Sequence, residues 1–349
     1  MATPRVTIRD VAREAGVSTT TVSDALNGRG RLPATTRERV AAVATRLGYR
    51  ASPTARRLRG GRPSTIGLYA PLISDVTAGL VALDYYMRLT MGAAEEALAH
   101  GLAVTLMPPR AGRDALLDAD VDGLIVVDPL RDDPALPAIA RRGLPIVTCE
   151  RDLTPGAQHA GEVVNDHRGA LRELLAHLTA EGAERIALIA PTAATSWGAE
   201  LQDAYADWCA EHGRRPRRLE MPIAAIERDA HDAAATMLDD PEPPDAIICA
   251  PEGGAAGVLR AAVGRGLRVP ADLLVANAVD SAALASTMPP VTAIELRPDA
   301  IGRAAAGMLG RLLAGEPAGE RVEVVPTTLN VRASSTRAPE RHERHERAA

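Results

Sequence analysis

Three short helical patterns of apolar and polar positions open the chain. In the first, apolar residues recur at i, i+3, i+4 and i+7, and they are Ile8, Val11, Ala12 and Ala15. Thr7 precedes this run as a helix cap, and Gly16 ends it. A second pattern begins at a Ser18 cap and predicts a helix that ends at Asn27-Gly28, with three inward residues, Val22, Ala25 and Leu26.

A third helix is predicted after Pro33. Thr35 and Glu38 have the spacing of a capping box, and an inward stripe follows: Val40, Val43, Ala44 and Leu47. The next segment, GYRASPTARRLRGGRP, is a linker in which residues 53–58 have the length of one short helix. A helix this short does not stand alone, so we expect it to form only against a partner.

Beyond the linker, apolar strand-like runs alternate with helical ones. A first set is TIGLYAPL, LAVTLMP, VDGLIVV and LPIVTC, and a second set after Asp166 is RIALIAP, DAIICAP and LLVANAV. Such alternation is typical of parallel sheets covered by helices on both faces. We therefore expect an N-terminal all-α domain followed by an α/β core of two doubly wound parallel-sheet lobes.

Charge is distributed unevenly along the chain. The 349 residues include 40 basic residues, all of them Arg, and 45 acidic ones, for a net charge of -5. The first 62 residues hold 13 of the Arg and four acidic residues, so this part carries +9 and the remainder -14. A basic N-terminal segment followed by an acidic remainder, here called the basic head and the acidic body, predicts that only the basic head binds a polyanion.

Cysteine usage and hydropathy indicate the compartment. Cys149, Cys209 and Cys249 lie far apart inside apolar runs, which fits free thiols in a reducing cytosol. The N-terminus has no apolar signal region, and no apolar span reaches membrane length. We expect a cytoplasmic protein with no membrane partner.

The second predicted helix has the composition of a DNA-reading element. A helix, a tight glycine turn and a second short helix form a helix-turn-helix unit, whose second helix enters the major groove. Thr19 and Thr20 lie at its exposed start, where hydroxyls exchange hydrogen bonds with bases and methyls contact thymine. Asp24 lies a turn later, where a carboxylate accepts a hydrogen bond from the cytosine amino group. Six arginines surround the unit and would contact phosphates: Arg9, Arg13, Arg29, Arg31, Arg37 and Arg50.

Several segments carry a family resemblance. They are VTIRDVAREAGVSTTTVSDALNG, TRERVAAVATRLGYRASPTARRLRGGR and IGLYAPL near the start, and LRVPADLLVANAVDSA and PPVTAIELRPDAIGRAAAGMLGRLLAGE further on. The chain resembles the LacI/GalR family of transcriptional regulators, densely over the first 68 residues and more loosely to about Ser335. The core of that family is similar to periplasmic sugar-binding proteins of type I.

The resemblance implies a division of the chain into domains. Residues 1–50 would form a helix-turn-helix headpiece, 51–62 a hinge helix and linker, and 63–335 a two-lobed core for effector binding and dimerisation. Lobe 1 would take about 63–163 and 292–325, and lobe 2 about 164–291 and 326–335. The charged segment 336–349 has no periodicity and is expected to be a disordered tail.

The resemblance also implies which residues contact DNA. Thr19, Thr20 and Asp24 would contact bases, and further contacts would come from Thr7, Ser18, Thr21, Ser23, Asn27 and Arg31. The hinge helix would order when two copies meet on a pseudo-palindromic operator, so we expect a homodimer. Leu58 would wedge into the minor groove with Ala55 beside it. Family members often carry Arg where this chain has Asp24, which predicts an altered half-site preference.

Polar and aromatic residues follow the predicted strands, at the ends where open α/β lobes place their ligands. We expect eight residues to line an effector cleft: Asp75, Tyr85, Tyr86, Arg151, Ser196, Trp197, Glu252 and Asp280. The ring of Trp197 would stack on a sugar or a base, and Arg151 would clamp a carboxylate, phosphate or hydroxyl pair. The family usually shows Asn-Asp where this chain has Pro251-Glu252, so a sugar and a nucleoside-like effector both stay open.

Rival functions are weighed by the motifs that the chain lacks. It has no G-x-S-x-G elbow, P-loop, dinucleotide fingerprint or His-Glu-x-x-His, so we expect no enzyme, no cofactor and no metal. The alternative is a small-molecule-binding protein of the periplasmic type without a regulatory role, which has no use for a basic head. The sequence favours a sequence-specific DNA-binding repressor whose operator affinity is controlled by a small-molecule effector between the lobes, with induction and corepression both open.

Overall fold

The computed structural model describes residues 7–26, 32–47, 64–71, 84–107, 119–140, 142–222, 224–316 and 319–337. The chain divides into two units, Met1–Pro63 and Ser64–Ala349. The predicted hinge helix at 53–58 and the tail beyond residue 337 lie outside the described residues. The predicted start of the tail at residue 336 is too early, because the Arg337 N–H still donates to Glu181 Oε2 at 2.8 Å.

Three helices make up the described part of the first unit. They are α1 (Ile8–Ala15), α2 (Thr19–Leu26) and α3 (Ala34–Leu47). Their apolar stripes meet in one small core, where the buried residues are Val11, Ala12, Ala15, Val22, Val40, Val43 and Ala44. The predicted inward faces are confirmed, except that Leu26 is 38% exposed at the end of α2.

The ends of α1 follow the predicted chemistry. Thr7 caps the first turn, and Asp10 Oδ2 accepts hydrogen bonds from the Thr7 N–H at 3.0 Å and from the Thr7 hydroxyl at 2.7 Å. These bonds hold the pKa of Asp10 below its ordinary value. Gly16 ends the helix at φ 63°, in the left-handed region that glycine adopts without strain.

The start of α3 differs from the prediction. The helix begins at Ala34, and the Pro33 carbonyl accepts hydrogen bonds from the N–H groups of Thr36 and Arg37. Thr35 is therefore already inside the first turn, and the predicted capping box between Thr35 and Glu38 is wrong. Proline immediately before the first helical residue fixes the entry of the chain without it.

The second unit alternates strands and helices. Its strands are β1 (Thr65–Tyr69), β2 (Ala103–Met107), β3 (Gly123–Val127), β4 (Ile146–Cys149), β5 (Gly161–Asn165), β6 (Ile186–Pro191), β7 (Arg218–Met221), β8 (Ala246–Cys249), β9 (Leu274–Asn277), β10 (Thr292–Glu295), β11 (Val322–Val325) and β12 (Thr328–Asn330). Its helices are α4 (Asp84–Ala99), α5 (Leu136–Ala140), α6 (His167–Ala180), α7 (Ser196–Glu211), α8 (Ile226–Leu238), α9 (Gly254–Val263), α10 (Ala282–Ala285) and α11 (Pro298–Ala314). A short 3-10 helix, Ala333–Ser335, follows.

These strands form two sheets, one in each lobe. The first sheet has the order β2-β1-β3-β4-β5-β11 and is parallel throughout. The second has the order β7-β6-β8-β9-β10-β12, in which β12 alone runs antiparallel to its neighbour. The central strands are buried along their whole length, as expected for sheets with helices on both faces. The predicted fold of two doubly wound lobes is confirmed.

The chain passes between the lobes three times: from β5 to α6, from β10 to α11, and from β11 to β12. Because β5 pairs in the first sheet, lobe 1 extends to residue 165 rather than 163. Because β10 pairs with β9, lobe 2 keeps residues 292–295, and the predicted return to lobe 1 at 292 is also early. Neither strand is among the seven apolar runs that the sequence predicted, and periodicity carries no information on which sheet a strand joins.

The side chain of Asn165 connects the three passages by hydrogen bonds. Asn165 lies on the first passage, and its Nδ2 donates to Leu296 O at 3.2 Å on the second and to Val325 O at 2.8 Å on the third. The residue is 1% exposed. These bonds hold the three connections in register at the hinge between the lobes.

Two helices of lobe 1 approach each other through glycine. A Cβ on Gly302 of α11 would overlap the Leu89 carbonyl oxygen of α4, and one on Gly92 would overlap the Asp299 carbonyl oxygen. Only the absence of side chains at these two glycines allows the helices to approach so closely.

The three cysteines, Cys149, Cys209 and Cys249, are buried free thiols. None of the helices in the described ranges has the length and apolar character of a membrane span.

Candidate DNA-reading face and interlobe cleft

The first turn of α2 is built around a hydroxyl cap. Ser18 Oγ accepts a hydrogen bond from the Thr21 N–H at 3.0 Å and lies 2.9 Å from Thr21 Oγ1. Two of the predicted DNA-contacting hydroxyls are therefore engaged with each other. This cap explains why a run of β-branched residues, which are mediocre helix formers, begins a helix here.

The outer side of α2 carries the predicted base-contacting residues. Thr19 and Thr20 are exposed at its start, whereas Val22 is buried in the three-helix core. Asp24 is partly exposed and lies four residues after Thr20, which puts both on one face of the helix. Hydroxyl, methyl and carboxylate groups thus stand together beside the free N–H groups of the helix start.

The other two helices of this unit, α1 and α3, carry exposed arginines. Arg13 Nη2 lies 2.6 Å from Asp10 Oδ1 while the side chain stays 80% exposed, and Arg46 Nη2 lies 2.9 Å from Glu14 Oε1. Exposed ion pairs contribute little to stability, so a phosphate competes with them at small cost. Four further predicted DNA contacts lie outside the described residues: Asn27, Arg31, Ala55 and Leu58.

In the second unit, two acidic residues end adjacent strands of the first sheet. The Asp128 N–H after β3 donates to Cys149 O, and the Glu150 N–H after β4 donates to Val163 O. Both residues have left-handed backbone, with φ 48° for Asp128 and 78° for Glu150, which residues other than glycine rarely adopt. They are 6% and 1% exposed. Buried carboxylates on strained backbone at the ligand-binding edge of a sheet indicate a functional position.

Two predicted cleft tyrosines at the start of α4 lie against these acids. The Tyr86 hydroxyl donates to Asp128 Oδ2 at 2.6 Å, and the rings of Tyr85 and Tyr86 meet edge to face with centroids 5.2 Å apart. Burial raises the pKa of Asp128 to about 7, and the negative charge of Glu150 adds to the effect. Burial also raises the pKa of both tyrosines, with the Asp128 carboxylate as the next cause. Sequence reasoning missed Asp128, although it follows an apolar strand as Glu150 does.

Glu150 reaches the second lobe through a histidine. Its Oε1 lies 3.0 Å from His167 Nε2, and both side chains are 2% exposed. Burial is the largest single influence and disfavours the charged ring, but Glu150, Glu200 and Asp128 together outweigh it and raise the pKa of His167 above its ordinary value. His167 begins α6 directly after the first passage between the lobes. No sequence motif surrounds this histidine, and sequence reasoning missed it.

Glu252 joins the lobes a second time. From the loop after β8, its Oε1 accepts a hydrogen bond from the Asp84 N–H at 2.8 Å, and its Oε2 accepts one from the Tyr85 N–H at 3.1 Å. A carboxylate in this position caps the start of α4, where unpaired N–H groups and the helix dipole favour negative charge. Burial raises the pKa of Glu252, while these two hydrogen bonds oppose the shift.

A third connection runs from the loop after β4 to α7. Arg151 Nη1 lies 3.0 Å from Glu200 Oε1, and nearby the Arg131 N–H donates to Ala194 O at 2.9 Å. Ser196 and Trp197 begin α7 one turn before Glu200. Ser196 Oγ and Trp197 Nε1 are buried, and neither has a hydrogen-bond partner in the described part of the chain.

Asp280, another predicted cleft residue, is already bonded to other residues of lobe 2. Asp280 Oδ2 accepts hydrogen bonds from Asn330 Nδ2 at 2.8 Å and Arg332 Nη2 at 2.6 Å, and Oδ1 accepts from Arg332 Nη1 at 2.8 Å. These bonds anchor the C-terminal strand to the lobe and leave the carboxylate little capacity for a ligand. Asp75 lies outside the described residues. The structure thus groups four predicted residues, Tyr85, Tyr86, Arg151 and Glu252, with Asp128, Glu150, His167 and Glu200.

Comparison with known proteins gives a consistent result. Residues 7–52 match the family of bacterial regulatory proteins of the lacI type, and residues 175–335 match the periplasmic binding protein-like domain. The lactose operon repressor of Escherichia coli K12 is 30% identical over 350 residues, covering 96% of this chain and 91% of that protein. The transcriptional regulator CelR of Thermobifida fusca is 28% identical over 337 residues, covering 95% of this chain and 98% of that protein.

Solved structures agree with these relatives. The lac repressor dimer bound to operator and the anti-inducer ONPF has a TM-score of 0.75 at 26% identity, covering 96% of this chain and 100% of that one. A CelR–cellobiose complex has a TM-score of 0.70 at 26% identity, covering 95% and 100%. A helix-turn-helix unit and a two-lobed binding core in one chain define a DNA-binding transcriptional regulator. The chain belongs to the LacI family of bacterial regulatory proteins.

Proposed function

We propose that two copies of this chain bind a pseudo-palindromic operator and repress transcription, and that a sugar or nucleoside-like effector between the lobes controls their affinity for DNA. One observation carries the proposal. The same chain pairs an exposed Thr19–Thr20 start on α2 with a cleft where ionisable side chains of two lobes meet. A binding protein without a regulatory role has no use for the first feature.

The proposed DNA reading follows from the surface of α2. Exposed hydroxyl and methyl groups at a helix start suit base edges in the major groove, and free N–H groups there favour a phosphate. The bonds between Ser18 and Thr21 fix the first turn, so Thr19 and Thr20, which lie between them, are presented in one defined orientation. A recognition helix placed once per protomer calls for two half-sites, which supports the homodimer and the symmetric operator.

The proposed effector site follows from the cleft. Relatives with this architecture have been solved with cellobiose and with ONPF, which supports a sugar-like ligand for this chain. The described cleft residues supply both aromatic rings and charged acceptors, the combination that orients polyhydroxylated molecules. We place the regulator in the cytoplasm, where its operator is accessible.

The proposed control of DNA binding rests on the contacts between the lobes. A ligand shifts an equilibrium only by binding one arrangement of the lobes more tightly than another. Glu150, Arg151 and Glu252 each bridge the lobes and border the cleft, so ligand binding and lobe closure involve the same side chains. The segment 51–62 would carry the change to the headpiece, and DNA and effector then alter each other's affinity reciprocally.

The test begins with selection of binding sites from a random duplex library by the full chain. Fluorescence anisotropy at fixed salt then compares the selected duplex with a scrambled one, in the presence and absence of sugars and nucleosides. We expect the selected duplex to bind at least about 1,000-fold more tightly, and one compound class to change that affinity. Equal affinity for both duplexes would reject the proposed function.

A further inference from the structure

We propose that the effector of this regulator carries an ammonium group, which binds between the carboxylates of Asp128 and Glu150 beside the ring of Tyr85. The ligand class is a polyhydroxylated or nucleoside-like amine, for example an amino sugar. This inference rests on the proposed function, because it names the chemistry of the ligand in the same cleft.

Charge balance is the first argument. The cations Arg151 and His167 already have acidic partners: Arg151 Nη1 lies 3.0 Å from Glu200 Oε1, and His167 Nε2 lies 3.0 Å from Glu150 Oε1. Asp128 receives its hydrogen bond from the neutral hydroxyl of Tyr86. No arginine or histidine in the described ranges lies within ion-pair distance of the Asp128 carboxylate. The charge of His167 acts on Asp128 at longer range, but His167 is already paired with Glu150, so Asp128 has no ion-pair partner of its own among the described residues.

The neighbouring acid Glu252 is also not paired with an arginine that is free of other acidic partners. The arginine that bears on it, Arg88, is bonded to Glu295 at 3.0 Å and to Asp299 at 3.0 Å. Glu252 is balanced instead by the N–H groups that begin α4. Glu252, bonded to the Tyr85 N–H, and Asp128, bonded to the Tyr86 hydroxyl, thus leave a surplus of negative charge.

Unsatisfied atoms are the second and independent argument. Glu150 is 1% exposed, and no described group donates a hydrogen bond to its Oε2. Ser196 Oγ and Trp197 Nε1 are also buried without a partner among the described residues. Glu200, one turn after Ser196, pairs with Arg151, the residue that follows Glu150, so α7 contacts the loop that carries Glu150. Buried polar atoms are normally paired, so these exceptions are atoms whose hydrogen-bonding capacity is available to a ligand.

The aromatic pair is the third argument. The negative face of a tyrosine ring attracts a cation, and this attraction strengthens where water is excluded. After burial, the charges of Asp128 and Glu150 are causes that raise the pKa of Tyr85 and of the Cys149 thiol. Rings and carboxylates therefore create a negative potential at one place.

A neutral hydroxyl would satisfy part of this site but not all of it. It donates one hydrogen bond and leaves the charge of the carboxylates uncompensated. An ammonium group supplies three donors and a positive charge, and low polarity strengthens both interactions. The site should therefore prefer an amine to the alcohol of the same shape.

The test compares amines with their neutral counterparts on the full chain. Glucosamine is paired with glucose, galactosamine with galactose, and ethanolamine with ethylene glycol, each at about 50 mM, pH 8 and constant ionic strength. A ligand that binds the folded state raises the melting temperature. We expect at least one amine to raise it by about 2 °C more than its neutral partner does.

Two variants test whether the amine-selective rise in melting temperature arises from binding in the cleft. Asp128→Asn keeps the side-chain volume and an acceptor for Tyr86, and asparagine tolerates left-handed backbone. Glu150→Gln is the second variant and removes the other carboxylate of the proposed site. Both should lose the amine-selective shift. Asp132→Asn is the matched control, because Asp132 also has a left-handed backbone, φ 60°, but an exposed side chain.

Two outcomes would overturn the inference: no amine-selective shift with any pair, or a shift that persists in both cleft variants. A neutral sugar that changes operator affinity while no amine does would overturn the inference and leave the proposed function intact. Failure to distinguish operator from scrambled DNA would instead reject the proposed function, and the amine comparison on the folded chain would still give its own answer.

Discussion

The hydroxyl of Tyr86 donates a 2.6 Å hydrogen bond to Asp128 Oδ2 at the floor of the interlobe cleft. This neutral donor does not offset the cost of burying a charge, so burial raises the pKa of Asp128 from 3.8 to about 7. A carboxyl whose pKa is raised on folding stabilises the fold while it is protonated. That contribution is complete below about pH 4 and is lost as the pH rises through about 7.

Replacement of this carboxyl should therefore change the pH dependence of stability. We expect Asp128→Asn to be more stable than the wild type at pH 8, by on the order of 2 kcal/mol, and to lose most of that advantage as the pH falls to 5. Thermal denaturation from pH 5 to pH 8.5 measures the difference. Asp132→Asn, an exposed acid on the same loop, should follow the wild-type curve. Parallel curves for Asp128→Asn and the wild type would contradict the assigned pKa.

The contact between Glu252 and the start of α4 predicts a cost for removing one of its two acceptors. Glu252→Gln keeps one acceptor but replaces the other by an NH2 group, which would face the backbone N–H of Asp84 or Tyr85. We expect a loss of about 1 kcal/mol in the free energy of unfolding at pH 8. Urea denaturation of this variant and of Glu173→Gln, an exposed residue on α6, measures it. Equal stability of the two variants would show that Glu252 does not cap α4.

The close crossing of α4 and α11 predicts opposite results for two glycines on one helix. Gly302→Ala would place a methyl group against the Leu89 carbonyl, which cannot move independently of its helix, so we expect a loss of about 2 kcal/mol or more. Gly307→Ala meets only flexible side chains, Glu96 with its Oε1 at 3.3 Å and Arg311 with its Nη1 at 3.5 Å, and gains helix propensity, so its stability should stay within about 1 kcal/mol of the wild type. Urea denaturation distinguishes them, and similar losses in both would be inconsistent with this packing.

Sequence patterns predicted the architecture well because apolar runs and helical stripes are local signals. The pairing of β10 is not local, and the sequence did not show that residues 292–295 stay in lobe 2. The same limit applies to the cleft. Asp280 follows its strand as a ligand residue would, yet Arg332, 52 residues later, bonds its carboxylate. His167 was missed because its partner Glu150 lies on the other lobe, whereas Asp128 had the same strand-end signal that identified the residues after β4.

The acid on α2 predicts a specific change in base preference. Asp24→Arg replaces an acceptor suited to cytosine with a bidentate donor suited to guanine, a difference of about 1–3 kcal/mol at each symmetric base pair. Binding-site selection with the variant should show guanine at that pair. Glu38→Arg on α3 has the same charge change and should raise affinity for all duplexes without a new preference. An unchanged motif with Asp24→Arg would remove Asp24 from the reading surface.

The central claim is that the exposed start of α2 reads DNA. The most direct measurement is the ratio of affinities for selected and scrambled duplexes, by fluorescence anisotropy at fixed salt, for the full chain and for the double variant Thr19→Ala/Thr20→Ala. Thr35→Ala, an exposed threonine on α3, serves as the control. We predict that the double variant loses at least about tenfold of this ratio while the control keeps it. An unchanged ratio in the double variant would contradict the account.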